Sequence, residues 1–341
     1  MDRRQFLISA AALGVSATTY AGLRLWPEQG FTNPCLSGLP DTLKNHSLMQ
    51  QIWRGIDSAQ VWDSHVHLVG TGDSQTPNHK ADVWVNPQMD SYLHSILKTQ
   101  KHFYMNGSCV INNDADKSAV QRMLNQVAEM PDGFKLMLFA FDWFRNENGE
   151  PIKEKSIFHI SNEYALQIAK ENPNTFEWVA SIHPYRESAA DKVEKVVQAG
   201  ARAIKWLPQG MGIDPASPKC DAFYAACAKH NIPIICHTGR ESAVHGGNQD
   251  DANPLRLRRA LDAGVRVVLA HCASDGEDID YDNGNKKVKS FDLFLRLMQT
   301  PEYNELLFGE ISAITLINHA WTIPPLTIRA HRFTQSLAQW F

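Results

Sequence analysis

The run Val61-Trp62-Asp63-Ser64-His65-Val66-His67 starts apolar and closes on two histidines one residue apart, the form of a buried strand that carries paired ligands. Side chains alternate along a strand, so His65 and His67 point the same way, roughly 7 Å apart by strand rise. Neutral imidazole is the commonest side-chain metal ligand, and two on one face can converge on one ion.

Three further segments repeat the design. Residues 201–208, 233–239 and 265–272 are short, mostly apolar and bounded by Gly or Pro, and each carries one polar functional group near its C-terminal end: Lys205, His237 and His271. Near-continuous apolar runs mark the strands of a parallel sheet, and a metal site built from strand C-termini is what a barrel of such strands provides. Alternation directs Ile204 and Trp206 toward surrounding helices and Lys205 into the interior. An ammonium there would repel a cation, which calls for modification of the lysine or an acidic partner.

Along the chain, apolar runs at 61–68, 135–142, 177–183, 201–207, 233–238, 265–271 and 306–313 alternate with helical patterns at 160–171, 187–199, 218–230, 254–263 and 290–300. Gly200, Asn231 and Gly264 occupy C-cap positions. This rhythm predicts βα units and a TIM-type (β/α)8 barrel. The polar stretch 69–107, with Trp84 and two prolines, reads as a loop over the C-terminal face, with helical patterns near 89–104 and 115–130. Residues 108–112 are left open between loop and a short extra strand.

Only seven strands are counted, and the deficit falls at the C-terminal end. Beyond Asp292 there is no aspartate, and beyond Glu310 no acid at all. From His319 onward neither helical nor strand periodicity is present, and Pro324-Pro325 would break either. The expectation is therefore an incomplete barrel with the eighth strand missing, through truncation of a longer enzyme. The expected organisation is an export signal or anchor at 1–25, an extension at 26–60, the barrel at 61–313 and an irregular tail at 314–341.

At 341 residues, 43% hydrophobic and 9% aromatic, the chain can bury one large core. A net charge of -4 with interspersed signs offers no basic stripe, so nucleic acid is excluded as a partner. The N-terminus pairs Arg3-Arg4 with Phe6-Leu7 and a short apolar run to Ala17, with small residues for cleavage near Ala17 or Ala21. It resembles a twin-arginine signal, which implies a periplasmic protein exported already folded, with membrane contact only through an uncleaved N-terminal segment. Six cysteines form no C-x-x-C. Cys236 and Cys272 flank strand histidines and face the helices, Cys220 and Cys227 share one predicted helix, and Cys35 and Cys109 have no evident partner. All six read as small buried hydrophobes.

Taken together, the His-x-His at the first strand, Lys at the fourth and single histidines at the fifth and sixth resemble the amidohydrolase superfamily of metal-dependent hydrolases, in its amidohydrolase-related branch. The resemblance spans residues 61–313. It implies that His65 and His67 bind the more buried metal, that Lys205 is carboxylated to bridge two ions, and that His237 and His271 hold the second. The metal implied is Zn2+, as one or two ions, with other divalent metals allowed. The family's strand-eight aspartate, its proton acceptor, has no counterpart, so the catalytic base is unknown and activity of this chain is in question.

The implied reaction is attack of metal-activated water on an ester, lactone, amide or related bond of a small molecule. Arg240, Glu241 and His245 after the fifth strand, Asp275 after the sixth, His183 at the end of the third and Glu310 in the seventh are the residues available for substrate contact, and each is also readable as ordinary structure. Two alternatives stand beside this reading: a mononuclear decarboxylase- or hydratase-like enzyme of the same fold, and a non-catalytic remnant. A homo-oligomer is compatible with all three.

Overall fold

The computed structural model describes residues 35, 38, 40–76, 79–80, 82–110, 113–241, 244 and 247–312. The expected export signal, the tail at 314–341 and His245 lie outside the described residues. No helix among those described is long and apolar enough to cross a membrane.

Among the described residues seven parallel strands carry the fold: β1 (Trp62–His67), β2 (Lys135–Phe139), β3 (Phe176–Val179), β4 (Ile204–Trp206), β5 (Ile234–His237), β6 (Val267–Ala270) and β7 (Leu307–Gly309). Neighbours in sequence are neighbours in space: β1 pairs with β2, β2 with β3, β4 with β5, β5 with β6 and β6 with β7. β3 meets β4 through a parallel bridge between Ala180 and Ile204, with the Lys205 N–H donating to the Ala180 carbonyl at 2.7 Å.

The observed strands fall on all seven predicted runs but end sooner, and a few residues beyond β2 and β3 the backbone turns to side-chain partners. The Ser181 N–H goes to Asn162 Oδ1, the His183 N–H to Asp142 Oδ2, and the Asp142 N–H to Ser181 Oγ.

Helices follow the strands: α1 (Ser95–Gly107), α2 (Ala115–Val127), α3 (Asn162–Glu171), α4 (Ala189–Gln198), α5 (Asp221–Lys229), α6 (Arg258–Asp262) and α7 (Ser290–Met298). Ser161 starts α3 by accepting the Tyr164 N–H on its hydroxyl, and Tyr164, Ala165, Ile168 and Ala169 form the buried stripe. Gly200, Asn231 and Gly264, read as C-caps, take the left-handed conformation with φ of 87°, 52° and 79°.

Two apolar clusters show how the sheet curls. Met137, Phe139, Val179, Ala203, Ile235, Val268 and Phe308, with Trp62 against them, pack on the inner face. One set of side chains from β1 through β7 thus meets at a common centre. The larger cluster, including Ile204, Trp206, Cys236 and Cys272, lies between sheet and helices. Lys205 therefore faces inward, as alternation requires.

Two expectations are corrected. The loop read at 69–107 also holds a strand, Val83–Val85, which pairs antiparallel with Phe158–Ile160, while the helical pattern near 89–104 takes form as α1. Three residues paired to a partner far along the chain leave no readable period. Cys35 and Cys109, for which no partner was evident, form a disulfide with Cα atoms 5.4 Å apart across 74 residues. Cys220, Cys227, Cys236 and Cys272 are free and buried. Ser108, Cys109 and Val110 form no strand, and Ile111 and Asn112 lie outside the described residues.

Candidate metal centre

The centre begins with an irregularity in β1. The register slips between Asp63 and Val66, where Asp63 Oδ1 accepts the His65 N–H at 3.0 Å. The bulge lets Trp62 pack on the inner cluster while His65 and His67 still share the inward face. Their Nε2 atoms lie 3.2 Å apart. Tetrahedral coordination at Zn–N lengths near 2.0–2.1 Å asks for donors about 3.3 Å apart.

The other sequence-predicted ligands converge on this pair. Lys205 Nζ from β4 is 3.5 Å from His65 Nε2. The His271 ring, just past β6, is 4.7 Å from that of His65 and 5.3 Å from that of His237 on β5. His237 Nε2 is buried with no hydrogen-bond partner among the described residues and stands 3.4 Å from Glu241 Oε2.

Glu310, read from sequence only as a weak substrate contact, takes a more central place. Its Oε2 accepts from His65 Nδ1 at 2.8 Å, lies 3.4 Å from the His271 backbone nitrogen and 2.6 Å from Ser312 Oγ. His65, His271 and Glu310 alone hold three candidate ligand atoms within 4.8 Å of one another. With Nδ1–H of His65 donated to Glu310, the Nε2 lone pair is the one left facing His67. His271 is oriented similarly, with Nδ1 2.8 Å from Ser312 Oγ and 3.0 Å from the Ser312 carbonyl oxygen. Ser312 gave no sequence signal.

Electrostatics favour neutral donors. Burial, reinforced by Lys205 and neighbouring imidazoles, holds His65, His67 and His237 well below the usual histidine range. His67 is exposed where it opens onto the cavity. Burial also pushes Lys205 down to about 8, against the pull of Glu310. Lone-pair imidazoles, a carboxylate and an orphaned buried nitrogen fit a divalent cation.

Backbone strain marks the same place. His271, Cys272 and Ala273 have φ of 58°, 53° and 49°, three consecutive non-glycine residues in the left-handed region. Each costs roughly 1–2 kcal/mol relative to ordinary backbone. The turn sends Cys272 into the outer core and leaves His271 at the end of β6.

The cluster floors a cavity of about 540 Å³. Leu68 and Val69 after β1, the pair Val83–Val85 and Phe158–Ile160, and Tyr104 and Met105 of α1 wall it. A reciprocal pair of caps holds the loop after β1. Asp116 in α2 accepts the N–H groups of Thr71, Gly72 and Ser74, while Asp73 accepts those of Ala115 and Asp116.

Of the predicted substrate contacts, Glu310 has joined the metal cluster and three others lie off this cavity. His183 is buried with both ring nitrogens engaged, Nδ1 accepting the Tyr185 N–H and Nε2 donating to the Met211 carbonyl. Arg240 pairs with Asp275 through contacts of 3.1–3.2 Å. Glu241 does line the cavity.

No curated protein matches the chain. Among solved structures it is similar to an uncharacterised TIM-barrel protein from Bordetella bronchiseptica, at 15% identity over 82% of this chain and 99% of that one, TM-score 0.45. It is similar to a putative 2-pyrone-4,6-dicarboxylic acid hydrolase from Pseudomonas putida at 10% identity, covering 82% and 97%, TM-score 0.39. A 5-carboxyvanillate decarboxylase from Sphingomonas paucimobilis is similar at 13% identity, covering 83% and 96%, TM-score 0.39. The family model described as amidohydrolase (Amidohydro_2) matches residues 62–286, and with its motif histidines gathered at one end of a parallel sheet, the chain belongs to the amidohydrolase family.

Proposed function

We propose that this protein is a metal-dependent hydrolase acting on an ester, lactone or amide bond of a small molecule. The observation that carries the reading is the meeting of His65, His67, Lys205, His237 and His271 at the floor of an apolar cavity of about 540 Å³. A divalent cation held there, zinc by the imidazole-rich ligand set, would lower the pKa of a water toward neutrality and polarise a carbonyl oxygen.

The chain's own residues do the rest. His65 and His67 present their Nε2 atoms, Glu310 and Ser312 hold the ring orientations of His65 and His271, and the apolar walls exclude bulk water. Lys205, its amine made more available by burial, could add CO2 with release of one proton, and the resulting carbamate would supply an anionic oxygen ligand in place of a cation.

A decarboxylase-like reading rests on a different aspect of the same group. Lys205 Nζ stands 3.5 Å from His65 Nε2, close enough for an unmodified lysine to leave space for one cation only. Metal content per chain, with mass analysis of Lys205, separates the readings. Two ions and a carbamate, with turnover of esters or lactones, support the hydrolase; one ion, a free amine and CO2 release from a carboxylated ring support the alternative. Export is proposed with the function, supported by the disulfide, since such bonds persist in oxidising compartments.

A further inference from the structure

We propose that the substrate of this cavity has an uncharged, apolar body, with polarity confined to the reacting group at the metal end. The inference rests on reading the cavity as the hydrolytic site and adds to it the class of molecule admitted.

The walls carry the argument. Phe141 and Phe158, with ring centroids 4.4 Å apart, form one side together with Val83, Val85 and Ile160. Met89, Met105, Leu207 and Val244 contribute elsewhere.

Every cation lining the cavity among the described residues is already committed. Lys205 belongs to the metal cluster, and Lys101 gives its ammonium to both oxygens of Asp90 at 2.7 Å. No arginine lines the cavity among those residues, because Arg240 is turned to Asp275. The acid in the wall, Glu241, opposes a second negative charge. Tyr104 stays a neutral phenol, held up by burial and by Glu241. A carboxylate on the substrate body would lose its water and meet no uncommitted cation among the described residues, whereas an apolar ring exchanges water for contact.

The test uses the metal-loaded protein and N-phenyl-naphthylamine, a neutral fluorophore that brightens in apolar surroundings. Acetonaphthone and its ring-carboxylated counterpart, unreactive analogues of naphthyl acetate esters, compete for it. The neutral ketone is expected to displace the probe at least tenfold more tightly than the carboxylated one. Phe158→Ala should weaken probe binding about tenfold with circular dichroism and metal content unchanged, and Met105→Lys should narrow or invert the preference between the ketones.

Equal or tighter binding of the carboxylated ketone, or no probe binding at all, overturns the inference. Displacement by the neutral ketone without hydrolysis of naphthyl acetate supports it while removing the hydrolase reading. Faster hydrolysis of the carboxylated ester overturns it and leaves that reading intact.

Discussion

Glu310 Oε2, just beyond β7, accepts a hydrogen bond from His65 Nδ1 on β1 at 2.8 Å, joining the first and seventh strands 245 residues apart in the chain. The carboxylate sets the tautomer of an imidazole in the candidate metal site, and loss of such a partner from a metal ligand typically costs ten- to a hundredfold in affinity.

Glu310→Gln is accordingly expected to weaken metal binding by about ten- to a hundredfold while the fold is retained. His65→Ala should lose the metal on dialysis. Elemental analysis of dialysed protein reads both outcomes, and full occupancy in His65→Ala would rule out the ligand assignment.

Burial holds His183 down to about 4, with Asp142 opposing the shift, whereas an unfolded histidine titrates near 6.5. The unfolded chain therefore takes up this proton between about pH 6.5 and 4 and the folded chain does not. The contribution is complete above pH 6.5 and declines as pH falls through that window, by about 3 kcal/mol in total. Urea unfolding at pH 7 and pH 4.5 should show a shallower pH dependence for His183→Gln than for the parent; equal dependence would contradict the assignment.

Gly239, between His237 and Arg240, has φ of 82°, and a Cβ there would come within 2.5 Å of the Asp275 carbonyl oxygen. Gly239→Ala should lower stability by roughly 1–3 kcal/mol and loosen the metal site next to it. Ala273 poses the reverse case, an alanine at φ of 49°. Ala273→Gly should be neutral or stabilising by up to about 1 kcal/mol, and thermal unfolding of the two variants in opposite directions is the expected signature.

The Cys35–Cys109 disulfide ties the start of the described chain to the C-terminal end of α1, where Gly107 and Ser108 line the cavity. Reduction, or Cys109→Ser, is expected to cost about 2–4 kcal/mol of stability. Thiol titration of the native oxidised protein should find no rapidly reacting cysteine, since the four free ones are buried. An unchanged melting temperature after reduction would argue against a structural role.

The strand positions were legible because each is a short apolar run between turn residues, and Lys205 could be turned inward from Ile204 and Trp206 alone. The bulge in β1 was not legible, yet it spared the reading: it falls between Asp63 and Val66, around Ser64 and His65, and both His65 and His67 still line the cavity. His183 and Arg240 misled for one reason. A polar residue at a strand end looks the same whether it meets a ligand or its own backbone and neighbours, and here both are taken by Tyr185, Met211 and Asp275.

What the sequence alone determined is local: the period of two that aligns His65 with His67, and the apolar runs that bring Lys205, His237 and His271 to strand ends. What the tertiary structure decided is everything that depends on curvature of the sheet. The meeting of Glu310 with His65, the closing of Cys35 on Cys109 and the apolar wall shared by residues 83–85 and 158–160 bring together segments distant along the chain. Side-chain alternation carries no information about such distances, because they are set by how strands twist and pack against one another.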